Sequence, residues 1–160
     1  MLGPLAVMSR VQINLPEVLP FSTEVDVRVT DLNYGAHLGN DSMLSLLHEA
    51  RVRFLRSHHM QERDVHGTHV IMVDAAVVYE AEAFAGDRLR IEVGVAKSGR
   101  AALDVLYRVT RPADGALIAE AKTGIVFLDP ITHKVTRRPD VIAELAQELV
   151  KPLLGPTPLP

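Results

Sequence analysis

Five polar side chains that can transfer protons or form hydrogen bonds crowd the stretch TDLNYGAHLGND, residues 30–41. They are Asp31, Asn33, His37, Asn40 and Asp41, and a helical pattern begins directly after them. Carboxylates and imidazole accept protons, and an amide orients water or a carbonyl by hydrogen bonding. A helix start adds unsatisfied N–H groups and a partial positive charge. This combination indicates a site that polarises a carbonyl group and activates water.

The elements on either side of this stretch position it. Val25, Val27 and Val29 alternate with charged residues, which predicts a strand over about 22–30 with one buried face. From Asp41 to about Arg56, apolar residues recur at three- and four-residue steps, which predicts a core-facing helix. We expect Asn40 or Asp41 to cap this helix. Its predicted core positions are Met43, Leu46, Leu47, Ala50 and Phe54.

Four further strands are predicted after the helix. Residues 70–83 are almost continuously apolar, which favours a strand covered on both faces. Alternating or apolar patterns predict the others at 89–96, 102–110 and 116–129, joined by turns containing Gly86, Gly99 and Gly115. Asp140 is the predicted cap of a short C-terminal helix. Strands joined by short turns around one long helix indicate an α+β fold.

Composition limits the functional classes. The 160 residues are 48% hydrophobic and 23% charged, as in an ordinary globular domain, and the net charge of −3 disfavours nucleic-acid binding. There is no cysteine and no apolar leader near 20 residues, so we expect a cytoplasmic protein without membrane contact. We predict an N-terminal extension over 1–20, one domain over 21–150 and a proline-rich tail over 151–160. Either Met1 or Met8 is the start.

Four histidines follow the long helix, but their spacing lacks a recognised zinc pattern such as H-E-x-x-H, so no metal is predicted. They are His58, His59, His66 and His69.

The sequence resembles the hotdog-fold acyl-CoA thioesterases, in the branch typified by 4-hydroxybenzoyl-CoA thioesterase. The resemblance rests on DLNYGAHLGN at 31–40, on HEAR at 48–51 and on YRVTRPADGALIAEAKTGIVFLD at 107–129, and it covers roughly residues 22–140. It implies a curved antiparallel sheet of about five strands wrapped on one long central helix, with a short C-terminal helix. It also implies a homodimer or a dimer of dimers, with sites at the dimer interface. The substrate would be an acyl-CoA, with coenzyme A as part of that substrate and no separate cofactor.

Three positions depart from the family pattern D-x-D-x-x-G-H-V-N-N. Asn33 stands where a second aspartate is usual, Ala36 where glycine is usual, and Gly39 where the first asparagine is usual. That second aspartate is the catalytic carboxylate in many members, and an amide has no charge with which to replace it. A carboxylate must therefore come from elsewhere, or hydrolysis does not occur.

The resemblance to members that use a helix glutamate makes Glu49 the first candidate for this carboxylate, and Asp31 the second. Asn33 would orient water or a carbonyl, and His37 would donate a hydrogen bond to the thioester. Glu49, Asp31 and His37 each have a structural alternative. Glu49 can form an i,i+4 ion pair with Arg53, Asp31 can end the strand in an Asx-type turn, and His37 can brace the loop.

Three groups of residues are candidates for binding substrate, and two of them are alternatives for the coenzyme A phosphates. Backbone at Gly35, Gly39, Asn40 and Asp41 would approach the acyl thioester. Lys97, Ser98 and Arg100 lie at a strand turn where family members often meet the coenzyme A phosphates. Lys134, Arg137 and Arg138 form a second cationic group with the same possible role.

Three functions are compatible with these patterns. The first is hydrolysis of an acyl-CoA or acyl-carrier thioester, and the second is non-catalytic or weakly catalytic binding of an acyl thioester, which Asn33 would permit. The third is a hotdog dehydratase or isomerase, which would need a suitably placed histidine and acid.

Overall fold

A computed structural model of the chain describes residues 10–146. The expected tail, the choice between Met1 and Met8 and residues 147–150 of the predicted domain lie outside this range. The elements, in chain order, are β1 (Phe21–Asp26), α1 (Asn40–Ser57), β2 (His69–Tyr79), β3 (Arg88–Ser98), β4 (Ala102–Arg111), β5 (Ala116–Leu128), β6 (Val135–Thr136) and α2 (Asp140–Ala143).

The strands form one antiparallel sheet in the order β1-β3-β4-β5-β2, and the two-residue β6 pairs with β5. The predicted alternation on β3 and β4 is confirmed, because every second residue is buried on one face. These residues, none more than 1% exposed, are Leu89, Ile91, Val93, Val95, Leu103, Val105, Tyr107 and Val109. The sequence pattern therefore selects the face on which the core is built.

Helix α1 packs on this buried face. Leu47, Ala50 and Phe54 point into the core, as the three- and four-residue spacing predicted. The predicted cap is wrong by one residue, because the N-cap is Gly39, in an extended conformation with φ −66° and ψ 147°. No side chain caps the helix, and Asn40 is already its first residue. One long helix on an antiparallel sheet confirms the α+β class.

Strand β1 is shorter than predicted and ends at Asp26. Val27 donates its N–H to the Asp87 carbonyl and accepts the N–H of Gly86, and both partners lie in the turn before β3 rather than in the strand. Val29 instead belongs to a short 3-10 turn, Val29–Asp31, and its side chain is 77% exposed. The chain consequently leaves the sheet earlier than the valine alternation indicated.

The prediction that residues 70–83 are covered on both faces is wrong for the single chain. Strand β2 lies at the edge of the sheet, pairs only with β5, and exposes Ile71, Met72 and Val73 by 45%, 44% and 57%. A bulge after Met72 lets the Asp74 carboxylate accept the N–H of Gly124, at 3.0 Å. An apolar edge strand of this kind is normally covered by another chain or element.

The described part of the predicted N-terminal extension packs on the domain. Leu15 and Leu19 cover Ala96 and Leu106 on the sheet face opposite α1. Arg108 donates to the carbonyls of Pro16 and Glu17, at 2.8 and 3.1 Å.

At the other end, α2 forms where a C-terminal helix was predicted, but its N-cap is Pro139, not Asp140. Asp140 is the first helical residue and its side chain makes no capping hydrogen bond.

Candidate functional site

The loop between β1 and α1 is organised by the side chain of Asn33. A bridge between Leu32 and Leu38 closes the loop, and the Asn33 N–H donates to the His37 carbonyl, at 2.8 Å. The Asn33 Oδ1 accepts the N–H groups of Gly35 and His37, at 2.9 and 3.4 Å. The amide that replaces the family's aspartate therefore has a clear structural task, because it holds the loop closed.

The two loop glycines leave room for the loop's own side chains. A Cβ on Gly35 would lie 3.0 Å from His37 Nε2, and one on Gly39 would lie 2.7 Å from Asp41 Oδ1. Ala36, where the family has glycine, adopts a left-handed φ of 62°. Imidazole and carboxylate groups of the chain itself occupy the space beside both glycines, and the approach of their backbone to a substrate stays a prediction.

His37 braces the loop, as one of the two expectations stated. Its Nδ1 lies 3.3 Å from Asn33 Nδ2, and its Nε2 lies 3.6 Å from Glu82 Oε1. Whether it also donates to a substrate stays a prediction.

Asp31 is buried and its carboxylate is bound back onto Arg28. It accepts the Arg28 backbone N–H at 2.8 Å, together with side-chain bonds from Nε and Nη2 at 3.1 and 2.9 Å. The side-chain hydrogen bond from Arg28 holds the pKa of Asp31 below its ordinary value. A carboxylate so strongly stabilised in its ionised form is a poor proton acceptor, which weakens its candidacy as a general base.

The start of α1 is open. Asn40 and Asp41 are exposed, and no acceptor within residues 10–146 takes the N–H groups of Asn40, Asp41 or Ser42. The Tyr79 hydroxyl donates to the Asn40 carbonyl, at 2.8 Å. Burial raises the pKa of Tyr79, and the nearby negative charge of Asp41 raises it further. Three free N–H groups at a helix start can stabilise a developing oxyanion.

Glu49 lies on the exposed surface of α1, in a cleft of about 550 Å³ between the helix and β1. The predicted ion pair is present, with Arg53 Nε 2.8 Å from Glu49 Oε1. Arg53 is fixed in turn by Thr23 Oγ1 and the Glu24 carbonyl, each at 2.8 Å. Glu49 follows Asn40 by nine residues, or about 13 Å along the axis, so one chain does not bring it to the helix start.

The predicted phosphate-binding residues lie at the opposite end of the sheet from the loop. The loop contacts residues 83–87, which precede β3, whereas Lys97 and Ser98 end that strand and Arg100 lies in the turn after it. The eleven residues of β3 span about 33 Å. One chain therefore keeps these two predicted substrate-binding groups apart.

The second cationic group is partly committed to structure. Arg138 donates to the carbonyls of Gly99 and Ala102 and holds the β3–β4 turn in place. Arg137 pairs with Asp140, at 3.3 Å.

A buried polar network below α1 was not predicted. Arg51 Nε lies 2.7 Å from Glu62 Oε1, and its Nη1 lies 3.4 Å from the hydroxyl of Tyr107. That hydroxyl lies 3.0 Å from Thr123 Oγ1. The other oxygen of Glu62 lies 3.0 Å from His48 Nε2.

One sequence signal pointed to this network, because Arg51 falls between Leu47 and Phe54 on the apolar stripe of the helix. A buried cation needs a partner. The partner was not identifiable, because Glu62 and Tyr107 lie 11 and 56 residues away along the chain.

Within residues 10–146, no group of three or more histidine or acidic side chains could hold a metal ion. None of the described helices is long and apolar enough to cross a membrane.

The curved antiparallel sheet around one long helix is the hotdog fold. The 1,4-dihydroxy-2-naphthoyl-CoA thioesterase of Synechocystis superposes with a TM-score of 0.70 at 23% identity, covering 78% of this chain and 96% of that one. Staphylococcus aureus protein SAV2348, solved in complex with CoA, gives 0.70 at 16% identity over 95% and 100% of the two chains. A probable thioesterase from Escherichia coli, YbaW, gives 0.64 at 21% identity over 81% and 98%. At these identities, the likeness shows the fold.

The sequence profile of the thioesterase-like superfamily matches residues 27–145, which include the loop, α1 and strands β2 to β6. The chain belongs to the thioesterase-like superfamily. Among proteins of curated function, none matches the sequence.

Proposed function

We propose that the protein hydrolyses an acyl-CoA thioester to a free acid and a thiol. The observation that carries this proposal is the open start of α1, where the N–H groups of Asn40, Asp41 and Ser42 have no acceptor among the described residues. Membership of the thioesterase-like superfamily supports the reaction class. Structural neighbours named for hydrolysis of 1,4-dihydroxy-2-naphthoyl-CoA and gentisyl-CoA support a CoA thioester as substrate.

In the proposed mechanism, the helix start holds the thioester carbonyl and stabilises the tetrahedral oxyanion. Loss of one oxyanion donor costs other enzymes about 3 to 4 kcal/mol, so this group contributes as much as a general base does. Glu49 takes a proton from the attacking water. Asp31 is the weaker candidate because Arg28 occupies its carboxylate.

The separation of Glu49 from its own helix start implies a second chain. A carbonyl held at the start of α1 lies about 13 Å along the axis from Glu49 of the same chain, beyond the reach of its side chain. We therefore propose that Glu49 of one protomer acts on a thioester held by the helix start of its partner.

The exposed apolar edge of β2 supports this assembly, since pairing would cover Ile71, Met72 and Val73. A homodimer, or a dimer of such dimers, is the proposed unit.

The β3–β4 turn is proposed to bind the coenzyme A phosphates through Lys97, Ser98 and Arg100. Lys97 and Arg100 are exposed, and the described residues give neither side chain an ion-pair partner. The Staphylococcus aureus neighbour in complex with CoA supports a ligand of this kind. Coenzyme A then enters and leaves as part of the substrate, and no other cofactor is proposed.

A second candidate function is acyl-thioester binding without hydrolysis. The structural use of Asn33 favours it, because the position of the family's catalytic aspartate is committed to holding the loop. Release of free thiol from a panel of acyl-CoAs by the purified protein separates the two functions. Saturable binding of acyl-CoA without thiol release would establish the second function.

A further inference from the structure

His48 on the exposed face of α1 forms a histidine–carboxylate pair with Glu62 of the loop that follows the helix. Glu62 Oε2 lies 3.0 Å from His48 Nε2, and Oε1 of the same carboxylate lies 2.7 Å from Arg51 Nε. Burial alone would raise the pKa of Glu62, but the hydrogen bonds from Arg51 and His48 outweigh it and the pKa lies below the ordinary value. The carboxylate is therefore ionised at neutral pH and fixed at both oxygens.

The pair is anchored in the core. Arg51, 7% exposed, reaches the hydroxyl of Tyr107, which contacts Thr123, and both of these residues are buried in the sheet. About a quarter of the Glu62 side chain is exposed, so water could solvate its Oε2. Burial therefore does not force the contact between Oε2 and His48. The contact with His48 orients the imidazole and leaves its Nδ1 without a partner among the described residues.

The imidazole faces a place where substrate can bind. His48 lines a cleft of about 220 Å³ with Leu44, Ser45, Arg51, Met72 and Thr123. Ser45 also lines the larger cleft that contains Glu49. On a helix, Ser45 neighbours both His48 at i+3 and Glu49 at i+4, with Cβ atoms about 5 to 6 Å apart. A thioester held by the helix start of the partner protomer and lying over Ser45 is therefore within reach of both groups, which belong to one chain.

We propose that His48, held by Glu62, is the general acid that protonates the departing thiolate in the hydrolysis proposed above. Water loses one proton to Glu49 and its oxygen bonds to the acyl carbon. The carbon–sulfur bond then breaks, and sulfur takes the proton from Nδ1 of the His48 imidazolium. The products are the carboxylic acid and the thiol, and the proton on Glu49 returns to His48 through solvent. Glu62 is a positioning residue, because it acts through the imidazole.

Leaving-group dependence tests this role. Purified protein is assayed with an acyl-CoA and with an aryl thioester of the same acyl group, whose thiolate leaves without protonation. His48→Gln is expected to lose at least about tenfold more kcat on the acyl-CoA than on the aryl thioester. Glu62→Gln should also lose more kcat on the acyl-CoA than on the aryl thioester, by a smaller factor. His66→Gln is the matched control, since His66 is an exposed histidine of the following loop, and both rates should stay unchanged.

Equal losses on the two esters, or no loss on either, would overturn the assignment. His48→Ala provides a second measurement, because added imidazole should restore its acyl-CoA rate, and failure of that rescue would also count against the role. The unmodified protein is measured first. If it hydrolyses neither ester, the proposed function itself fails. If it hydrolyses both and the His48 variant loses both rates equally, only the role of His48 fails.

Discussion

Asn33 shows how one residue changes what a loop can do. The Asn33 Oδ1 accepts the N–H groups of Gly35 and His37. An aspartate at this position would place a negative charge beside the same two N–H groups. The neutral amide keeps those hydrogen bonds without offering a base. In the proposed mechanism the carboxylate is instead Glu49 of α1, which is held by Arg53 in an open cleft.

At the same scale, Asp31 is expected to contribute to stability rather than to proton transfer. Its pKa is lowered in the folded state by Arg28, so its stabilising effect is fully present above the unfolded value of about 3.9. That effect is lost as pH falls through the lower folded value. Asp31→Asn should therefore lower the melting temperature at pH 7, and the difference from wild type should shrink towards pH 2.

Thermal unfolding followed by circular dichroism between pH 7 and pH 2 measures this difference. Asp26→Asn is the control, since Asp26 is 62% exposed beside Arg88 and its loss should change the melting temperature little. A gap between Asp31→Asn and wild type that stays constant over the whole range would contradict the account.

Some side-chain contacts could be predicted from the spacing of residues along the chain, and others could not be predicted in this way. The pair Glu49–Arg53 is four residues apart on one helix, so the sequence predicted it and the structure confirms it. The pair Glu62–His48 joins a loop to a helix fourteen residues earlier, and its geometry depends on how the loop returns. The predicted cap failed because the extended residue before α1 is Gly39, one position earlier than the polar residues.

At the scale of elements, α1 and the β3–β4 turn divide the proposed work. The helix start and the exposed surface of α1 carry the proposed acid–base groups, whereas the turn lies at the far end of β3, about 33 Å along the strand from the β1–α1 loop. Periodicity predicted α1 and the strands β3 and β4 because each has one buried face. It could not show that β2 is an edge strand, since edge position depends on the order of strands in the sheet.

This division predicts a separable effect on binding. The double variant Lys97→Ala and Arg100→Ala should raise KM for acyl-CoA about tenfold, because it removes phosphate contacts that are equal in ground and transition states. The kcat should stay within about twofold of wild type. Steady-state kinetics measures both constants.

Arg63→Ala removes an exposed charge from the loop after α1 and should alter neither constant. A fall in kcat for the double variant, with KM unchanged, would place these residues near the chemistry instead.

For the molecule as a whole, the proposed active site requires two chains. One chain exposes the apolar edge of β2 and separates Glu49 from its own helix start. A second chain paired along that edge would cover it and, in the proposed mechanism, would supply the helix start on which Glu49 acts. The sequence favoured a covered strand at 70–83 because its residues are apolar on both faces. The single chain supplies no such cover, so the pattern is explained if a second chain provides it.

Val73→Lys tests the assembly, because it places a charge at the most exposed large apolar residue of β2, 57% exposed. Wild-type protein should sediment at twice the chain mass or a multiple of that, whereas the variant should sediment as a monomer and lose thioesterase activity. Ile131→Lys changes an apolar residue that is 87% exposed on the turn before β6, and it should keep both assembly and activity. A wild-type monomer that hydrolyses acyl-CoA at full rate would exclude a shared site.

The most direct measurement is release of free thiol from acyl-CoA by wild type and by Glu49→Gln. We expect wild type to hydrolyse the substrate and the variant to have a roughly hundredfold lower kcat, because the proposed general base is lost. The melting temperature should hardly change, since an exposed i,i+4 ion pair contributes only about 0.3 to 0.5 kcal/mol.

Glu92→Gln, on the sheet face away from α1, is the control and should retain the wild-type rate. Asp31→Asn is assayed beside it, because loss of rate only there would reassign the base. An undiminished rate in Glu49→Gln, or no thiol released by wild type from any acyl-CoA, would contradict the account.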